Sequence, residues 1–133
     1  MRDLLERAAE FETDLIGLRR HFHQHPELSF QEQQTAQEVA RRLAALGFAV
    51  QMNVGLTGVV AELDNGAGPC VALRADMDAL PIQEANDVEY RSKNAGIMHA
   101  CGHDAHMSML IGAARLLMDM RGRHELPPGR IRF

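Results

Sequence analysis

Leu43-Ala44-Ala45-Leu46-Gly47-Phe48-Ala49-Val50-Gln51-Met52-Asn53 is the stretch on which the fold turns, because the period of its apolar residues changes inside it. Up to Leu46, the residues Ala36, Val39, Ala40, Leu43 and Leu46 recur at steps of three and four, the apolar face of a helix. Gly47 stands just past the last periodic residue, where helices commonly end. After it, Phe48 to Asn53 and Thr57 to Leu63 read as two strands joined at Gly55. A helix that runs straight into a strand pair points to an α/β domain.

Working outward, Ser29 and Glu32 form a Ser-x-x-Glu capping box at the start of that helix. Pro26 closes an earlier helix whose stripe is Leu4, Ala8, Phe11, Leu15, Leu18 and Phe22. Downstream, Asp64-Asn65-Gly66-Ala67-Gly68-Pro69 is a strong turn signal. Val71 to Ala75 reads as a third strand, ending at the carboxylates Asp76 and Asp78. A long loop from about Met77 to His99 follows, of a length usually reserved for function. Met107, Leu110, Ile111, Ala114, Leu117 and Met118 then mark a last helix. Leu126-Pro127-Pro128-Gly129 is a linker, and Arg130 to Phe133 opens another strand. The order predicts an α/β fold with a mixed β-sheet flanked by helices. The last strand has no turn after it, so the sequence reads as the front part of a longer protein.

Composition narrows the function classes. At 133 residues the chain is the size of one domain. A hydrophobic share of 46% and a charged share of 24% exclude a disordered tail. Aromatics are only 5%, with no Trp, so the core must rest on Leu, Val, Ala and Met. A net charge of −4 argues against nucleic acid as the main partner, since phosphate binding needs a basic footprint. No apolar run approaches the eighteen or so residues of a membrane span. Arg2, Asp3, Glu6, Arg7 and Glu10 give the first residues no signal-peptide pattern. Cys70 and Cys101 are too few for a disulfide framework, and a reducing, cytoplasmic location is expected.

The chemistry concentrates in Met98-His99-Ala100-Cys101-Gly102-His103-Asp104-Ala105-His106. Thiolate, imidazole and carboxylate are the ligand types for zinc and its first-row neighbours. Residues two apart point to opposite sides of a helix, so Cys101 and His103 can share a metal only if they precede the helix. Gly102 permits the necessary turn. Asp104 is placed to cap the helix or to orient a ligand His. The competing reading is bland: a lone Cys is more often a small buried hydrophobe, and His99 and His106 can serve as ordinary polar residues. Asp76-Met77-Asp78 lies at a strand end, where α/β sheets gather ligands, or is simply a solvated loop start with Arg74 as ion-pair partner. His21, His23 and His25 read as surface histidines near a helix C-terminus, where positive charge is welcome. His-Glu-x-x-His, Cys-x-x-Cys, Gly-x-Ser-x-Gly and a phosphate-binding glycine loop are all absent from the sequence.

Two motifs taken together, Leu73-Arg74-Ala75-Asp76-Met77-Asp78-Ala79-Leu80-Pro81-Ile82 and Met98 to His106, closely resemble the M20 metallopeptidases. The subgroup is the amidohydrolases typified by hippurate hydrolase, N-acyl-amino-acid amidohydrolases and auxin-conjugate hydrolases. Arg19-Arg20 and His25-Pro26-Glu27-Leu28-Ser29-Phe30 with Glu32 resemble that subgroup's N-terminal signature. The resemblance implies metal-dependent cleavage of the amide bond of N-acyl amino acids. It implies that Cys101 bridges two divalent metals, zinc or manganese with cobalt or nickel as alternatives, and that His103 binds one of them. Asp78 aligns with an Asp that supports the site from behind the ligands, and Asp76, Asp104 and His106 are further candidates for that supporting role. It also implies a small-molecule partner rather than nucleic acid or membrane, and a homodimeric or homotetrameric parent enzyme. Residues 1–133 would be the N-terminal part of the catalytic domain. The rest of that domain, with its Glu-Glu pair and two later His ligands, and a satellite dimerisation domain would lie outside it. This chain alone is therefore expected to be inactive. The alternatives are a free-standing metal-binding or redox module built on Cys101, and a structural module that keeps the fold without the chemistry.

Overall fold

The computed structural model describes residues 4–133; Arg2 and Asp3, read above as part of a charged amino terminus, lie outside the described residues. Four helices and four strands follow one another: α1 Leu4–Ala9, α2 Glu12–Gln24, α3 Gln33–Ala45, β1 Ala49–Val54, β2 Gly58–Asp64, β3 Cys70–Ala72, α4 His103–Gly122 and β4 Arg130–Arg132. The sheet order is β1-β2-β4-β3. β1 and β2 form an antiparallel hairpin, β4 runs antiparallel to β2, and β3 runs parallel to β4. The expected α/β class with a mixed sheet is therefore what the chain forms. A parallel pair needs a long crossover, and here residues 73–102 and α4 supply it.

Along β2, Ala61 and Leu63 are buried while Val60, Glu62 and Asp64 are not, so one face of the sheet carries the core. Leu18 and Phe22 of α2, Val39 and Leu43 of α3, and Met107, Ile111 and Ala114 of α4 meet that face, together with Phe48 and Phe133. The Phe48 and Phe133 rings lie 5.2 Å apart in a tilted contact. Ala61 and Phe133 exchange both backbone hydrogen bonds, at 2.9 and 2.8 Å, which places the last residue in the sheet interior.

Several local expectations are corrected. The first apolar stripe is carried by two helices, not one. The chain tightens at Glu10 and Phe11, whose N–H groups reach back three residues to Arg7 and Ala8. The cause is tertiary: buried Arg7 donates to Asp119 of α4 at 2.8 Å and to Glu125 at 2.6 Å, and Arg115 of α4 stacks over the Phe11 ring at 4.2 Å. Nor does Ser29 cap α3. The Glu27 carboxylate does so from outside the helix, accepting from the N–H groups of Gln34 and Thr35 and from the Thr35 hydroxyl. Glu32 instead folds back onto the N–H of Phe30 at 2.9 Å. The third strand spans Cys70–Ala72 rather than Val71 to Ala75, with one further backbone bond from the Leu73 N–H to the Arg132 carbonyl.

The end of α3 is as expected. Gly47 sits at φ +95°, its N–H bonds the Ala44 carbonyl, and the Phe48 N–H bonds the Leu43 carbonyl. That pair of bonds is the Schellman closure, which turns the chain directly into β1. Among the described residues no helix is long and apolar enough to cross a membrane.

Candidate metal centre

Residues 73–102 contain neither helix nor strand, yet they are firmly stitched. Leu80 and Met98 exchange backbone bonds at 2.9 and 3.0 Å, folding the loop onto itself. The Ala79 N–H donates to the Glu27 carbonyl at 2.8 Å, the Lys93 N–H to the Gln24 carbonyl at 2.9 Å, and the Asn94 side-chain amide to the Pro26 carbonyl at 2.7 Å. The loop is thereby tied to the last residue of α2 and to the segment that follows it. Its fold brings Asp78, just before Leu80, alongside the residues that follow Met98.

The result is a contact between two of the residues singled out from sequence. The His103 ring Nδ1 lies 2.8 Å from the Asp78 carbonyl oxygen and 3.0 Å from its carboxylate Oδ1. Both atoms are acceptors, so Nδ1 carries the proton and the lone pair resides on Nε2. This is the arrangement that orients metal-binding imidazoles and raises their basicity. Two residues earlier, Cys101 is a free, exposed thiol. Gly102 between them adopts φ +94° and serves as the N-cap of α4. The expectation that both residues precede the helix holds for Cys101 alone: His103 is the first residue of α4, directly after the turn at Gly102. The His106 ring is 5.8 Å from that of His103, one turn further along the helix.

The other candidates go elsewhere. Asp76 turns its carboxylate to Arg74, the ion pair that the simpler reading anticipated. Asp104 does not cap α4. It is fully buried, and its Oδ2 accepts from Arg19 Nε at 2.9 Å and faces His23 Nδ1 at 2.7 Å. It therefore orients His23, not a candidate ligand. His23 is itself 3% exposed, so the surface reading of that histidine is corrected. Its other nitrogen, Nε2, lies 3.1 Å from buried Glu84 Oε1. Glu84 in turn receives the Ser92 N–H at 2.6 Å. Burial pushes the Glu84 carboxyl up, but the bonds from Ser92, His23 and Asn86 outweigh it and leave it below its ordinary value.

Sequence reasoning missed Glu84 and the role of His23. The available signal was spacing: Arg19 and His23 are four apart and flank the Leu18–Phe22 stripe, so they border the core rather than face solvent. His99 is also buried. Its pKa is pushed down to about 4, first by burial, against the pull of the nearby Asp104 charge. Neither of its ring nitrogens has a hydrogen-bond partner among the described residues.

A thiolate and an imidazole nitrogen held in its metal-binding tautomer suit a zinc-like divalent cation. They supply two donors only: among the described residues no group of three or more His, Cys, Asp or Glu is placed to hold a metal. A groove of about 540 Å³, lined by Phe30, Thr57, Leu73, Asp76, Asp78 and Phe133 among others, borders Asp78 from the sheet side.

Residues 72–133, from the end of β3 through the Cys101–His103 turn to β4, match the peptidase family M20/M25/M40. This chain carries an M20 peptidase segment. Outside that span the likeness continues. The chain is 50% identical over 125 residues to an N-acyl-L-amino acid amidohydrolase of Geobacillus stearothermophilus, which covers 93% of this chain and 33% of that protein. It is 47% identical over 115 residues to the IAA-amino acid hydrolase ILR1-like 5 of Arabidopsis thaliana, covering 86% of this chain and 26% of that one. Among solved structures, the YXEP protein of Bacillus subtilis, described as a dinuclear metal-binding peptidase of the M20 family, superimposes with a TM-score of 0.83 at 45% identity. That match covers 94% of this chain and 34% of YXEP. The chain thus spans about a third of the length of these relatives or less.

Proposed function

We propose that this chain forms part of the catalytic domain of a metal-dependent amidohydrolase and supplies Cys101 and His103 as ligands to divalent metal. The observation that carries the reading is the double contact of His103 Nδ1 with Asp78, which leaves the lone pair on Nε2, with an exposed thiol two residues earlier in the chain. The likeness to an N-acyl-L-amino acid amidohydrolase and to a dinuclear metal-binding peptidase supports it. Two metals per complete site, with Cys101 shared between them, is the arrangement we favour; zinc and manganese are the leading ions. The substrate class is an N-acyl amino acid, with hippurate as the type compound.

Bound metal would supply Lewis-acid polarisation of the amide carbonyl and a water of lowered pKa. This chain's own residues hold and orient. Asp78 fixes the His103 tautomer, Gly102 turns the chain so that thiol and imidazole precede and open the helix, and the stitched loop holds Asp78 in place. Two donors bind metal far more weakly than a closed four-ligand site. The 133 residues alone are therefore expected to turn over no hippurate or N-acetyl amino acid, even with added zinc, manganese or cobalt.

Cobalt titration tests the ligand assignment. A thiolate-to-cobalt charge-transfer band should grow in the wild type and vanish in Cys101→Ser. An identical titration in the variant would remove Cys101 from the ligand set, and chelator-sensitive turnover by the isolated chain would overturn the statement that two donors are insufficient.

A further inference from the structure

The ion network at the base of α4 is not used by any step above. Arg19, His23, Glu84 and Asp104 come from three separate segments: α2 gives the first two, the long loop gives Glu84, and the first turn of α4 gives Asp104. His23, Glu84 and Asp104 are each 3% exposed or less. Both His23 nitrogens face carboxylate oxygens, and only the imidazolium form donates at both. The Arg19 guanidinium, 37% exposed at its side chain, reaches the Asp104 end of the cluster, while Asp104 Oδ1 is buried without a partner among the described residues. Asp104 follows His103 directly, and its backbone carbonyl also holds the Ser108 hydroxyl at 2.8 Å. Glu84 pins the arm of the loop whose start carries Asp78 and whose end carries Cys101.

We propose that Glu84, His23 and Asp104 form a positioning relay. It fixes the first turn of α4 against the long loop and so presets the Cys101–His103 pair before any metal arrives. His23 is a positioning residue, acting on His103 only through Asp104 and the loop. The benefit for metal affinity rests on the ligand reading above; the ordering of the turn does not.

The test compares two ion clusters on the same helix. Arg7 lies at the opposite end of α4, just as buried, and bonds Asp119 and Glu125. Hydrogen exchange is measured on the wild-type chain, on His23→Gln and on Arg7→Gln. His23→Gln should speed amide exchange across residues 103–108 about tenfold or more and leave 115–122 within about twofold; Arg7→Gln should do the reverse. Uniform acceleration along α4 in both variants, or no change over 103–108 in His23→Gln, would overturn the relay. Glu84→Gln keeps the side-chain shape and provides the same comparison if His23→Gln does not fold. In the cobalt titration, His23→Gln should weaken binding about 10- to 100-fold, the range seen when groups behind a metal ligand are removed, while Arg7→Gln stays within about twofold. Equal weakening by both would reduce His23 to a general stability role. Absence of any thiolate band in the wild type would end the Cys101 reading, and the exchange comparison would still decide the relay.

Discussion

Replacing Glu27 with Ala should destabilise the chain far more than replacing Ser29, although the sequence pattern assigns the cap to Ser29. The Glu27 carboxylate accepts from the Gln34 N–H at 3.2 Å, the Thr35 N–H at 2.8 Å and the Thr35 hydroxyl at 2.8 Å. Thr35 is 4% exposed, so water does not replace those bonds freely. A buried N–H left without a partner costs about 1–3 kcal/mol, and loss of a negative charge at a helix N-terminus adds about 0.3–1 kcal/mol. We expect about 2–3 kcal/mol for Glu27→Ala, a fall in Tm of roughly 6–15 °C for a domain of this size. Ser29 is exposed and α3 starts only at Gln33, so Ser29→Ala should cost within about 0.5 kcal/mol. Urea and thermal melts followed by circular dichroism measure both. Equal losses, or a larger loss for Ser29→Ala, would refute the assignment of the cap. The Glu27 carbonyl that holds the Ala79 N–H next to Asp78 is main chain and survives in Glu27→Ala, so the loss should be confined to the cap of α3.

Asp78→Ala should weaken cobalt binding by only about tenfold, the low end of the range for such groups, because the Asp78 carbonyl still accepts from His103 Nδ1. A loss beyond about a hundredfold in the same titration would mean that the carboxylate binds metal itself. Gly102→Ala should cost about 1–2 kcal/mol in a melt, the penalty of a left-handed backbone for a residue with a Cβ. Nothing lies within 4 Å of the added carbon, so the cost is conformational, and an unchanged melt would contradict it. Glu38 is held at about 2, first by its bond to Arg41 and then by Arg42. Its folded pKa is below its unfolded one, so its contribution is complete above about pH 4.5 and lost as pH falls from there toward 2. Glu38→Gln should flatten that acid arm by less than about 1 kcal/mol, since the pair is solvent-screened; a pH series of melts down to pH 2 checks it.

Where local chemistry decided the outcome, the sequence was readable. The period change around Gly47, the Gly55 hairpin and the turn at Gly102 that leaves Cys101 outside the helix all rest on neighbours within a few residues. What stayed hidden depends on partners far along the chain. Nothing near Glu10 announces that Arg7 reaches Asp119, so the break between α1 and α2 could not be seen in an unbroken apolar stripe. His23 sits among other histidines at a helix end, and only its distant contacts with Glu84 and Asp104 show that it is buried. Glu27 caps α3 from outside the four-residue window that a capping box inspects. Asp78 and His103 were each singled out from sequence, but their contact depends on the Leu80–Met98 bridge, which no periodicity marks.

The position of β4 has a consequence for how the polypeptide is made. Among the described residues β3 joins the sheet only through β4, and Ala61 finds its backbone partner in Phe133. At ribosomal rates of about 5–20 residues/s, the hairpin would emerge roughly 3–14 seconds before β4. During that interval the β2 edge, with Glu62 facing the place of Arg132, is open to whatever strand comes near. The nascent chain therefore has a vulnerable window set by topology alone, and a chaperone that shields strand edges would do its work between the synthesis of Asp64 and that of Arg130.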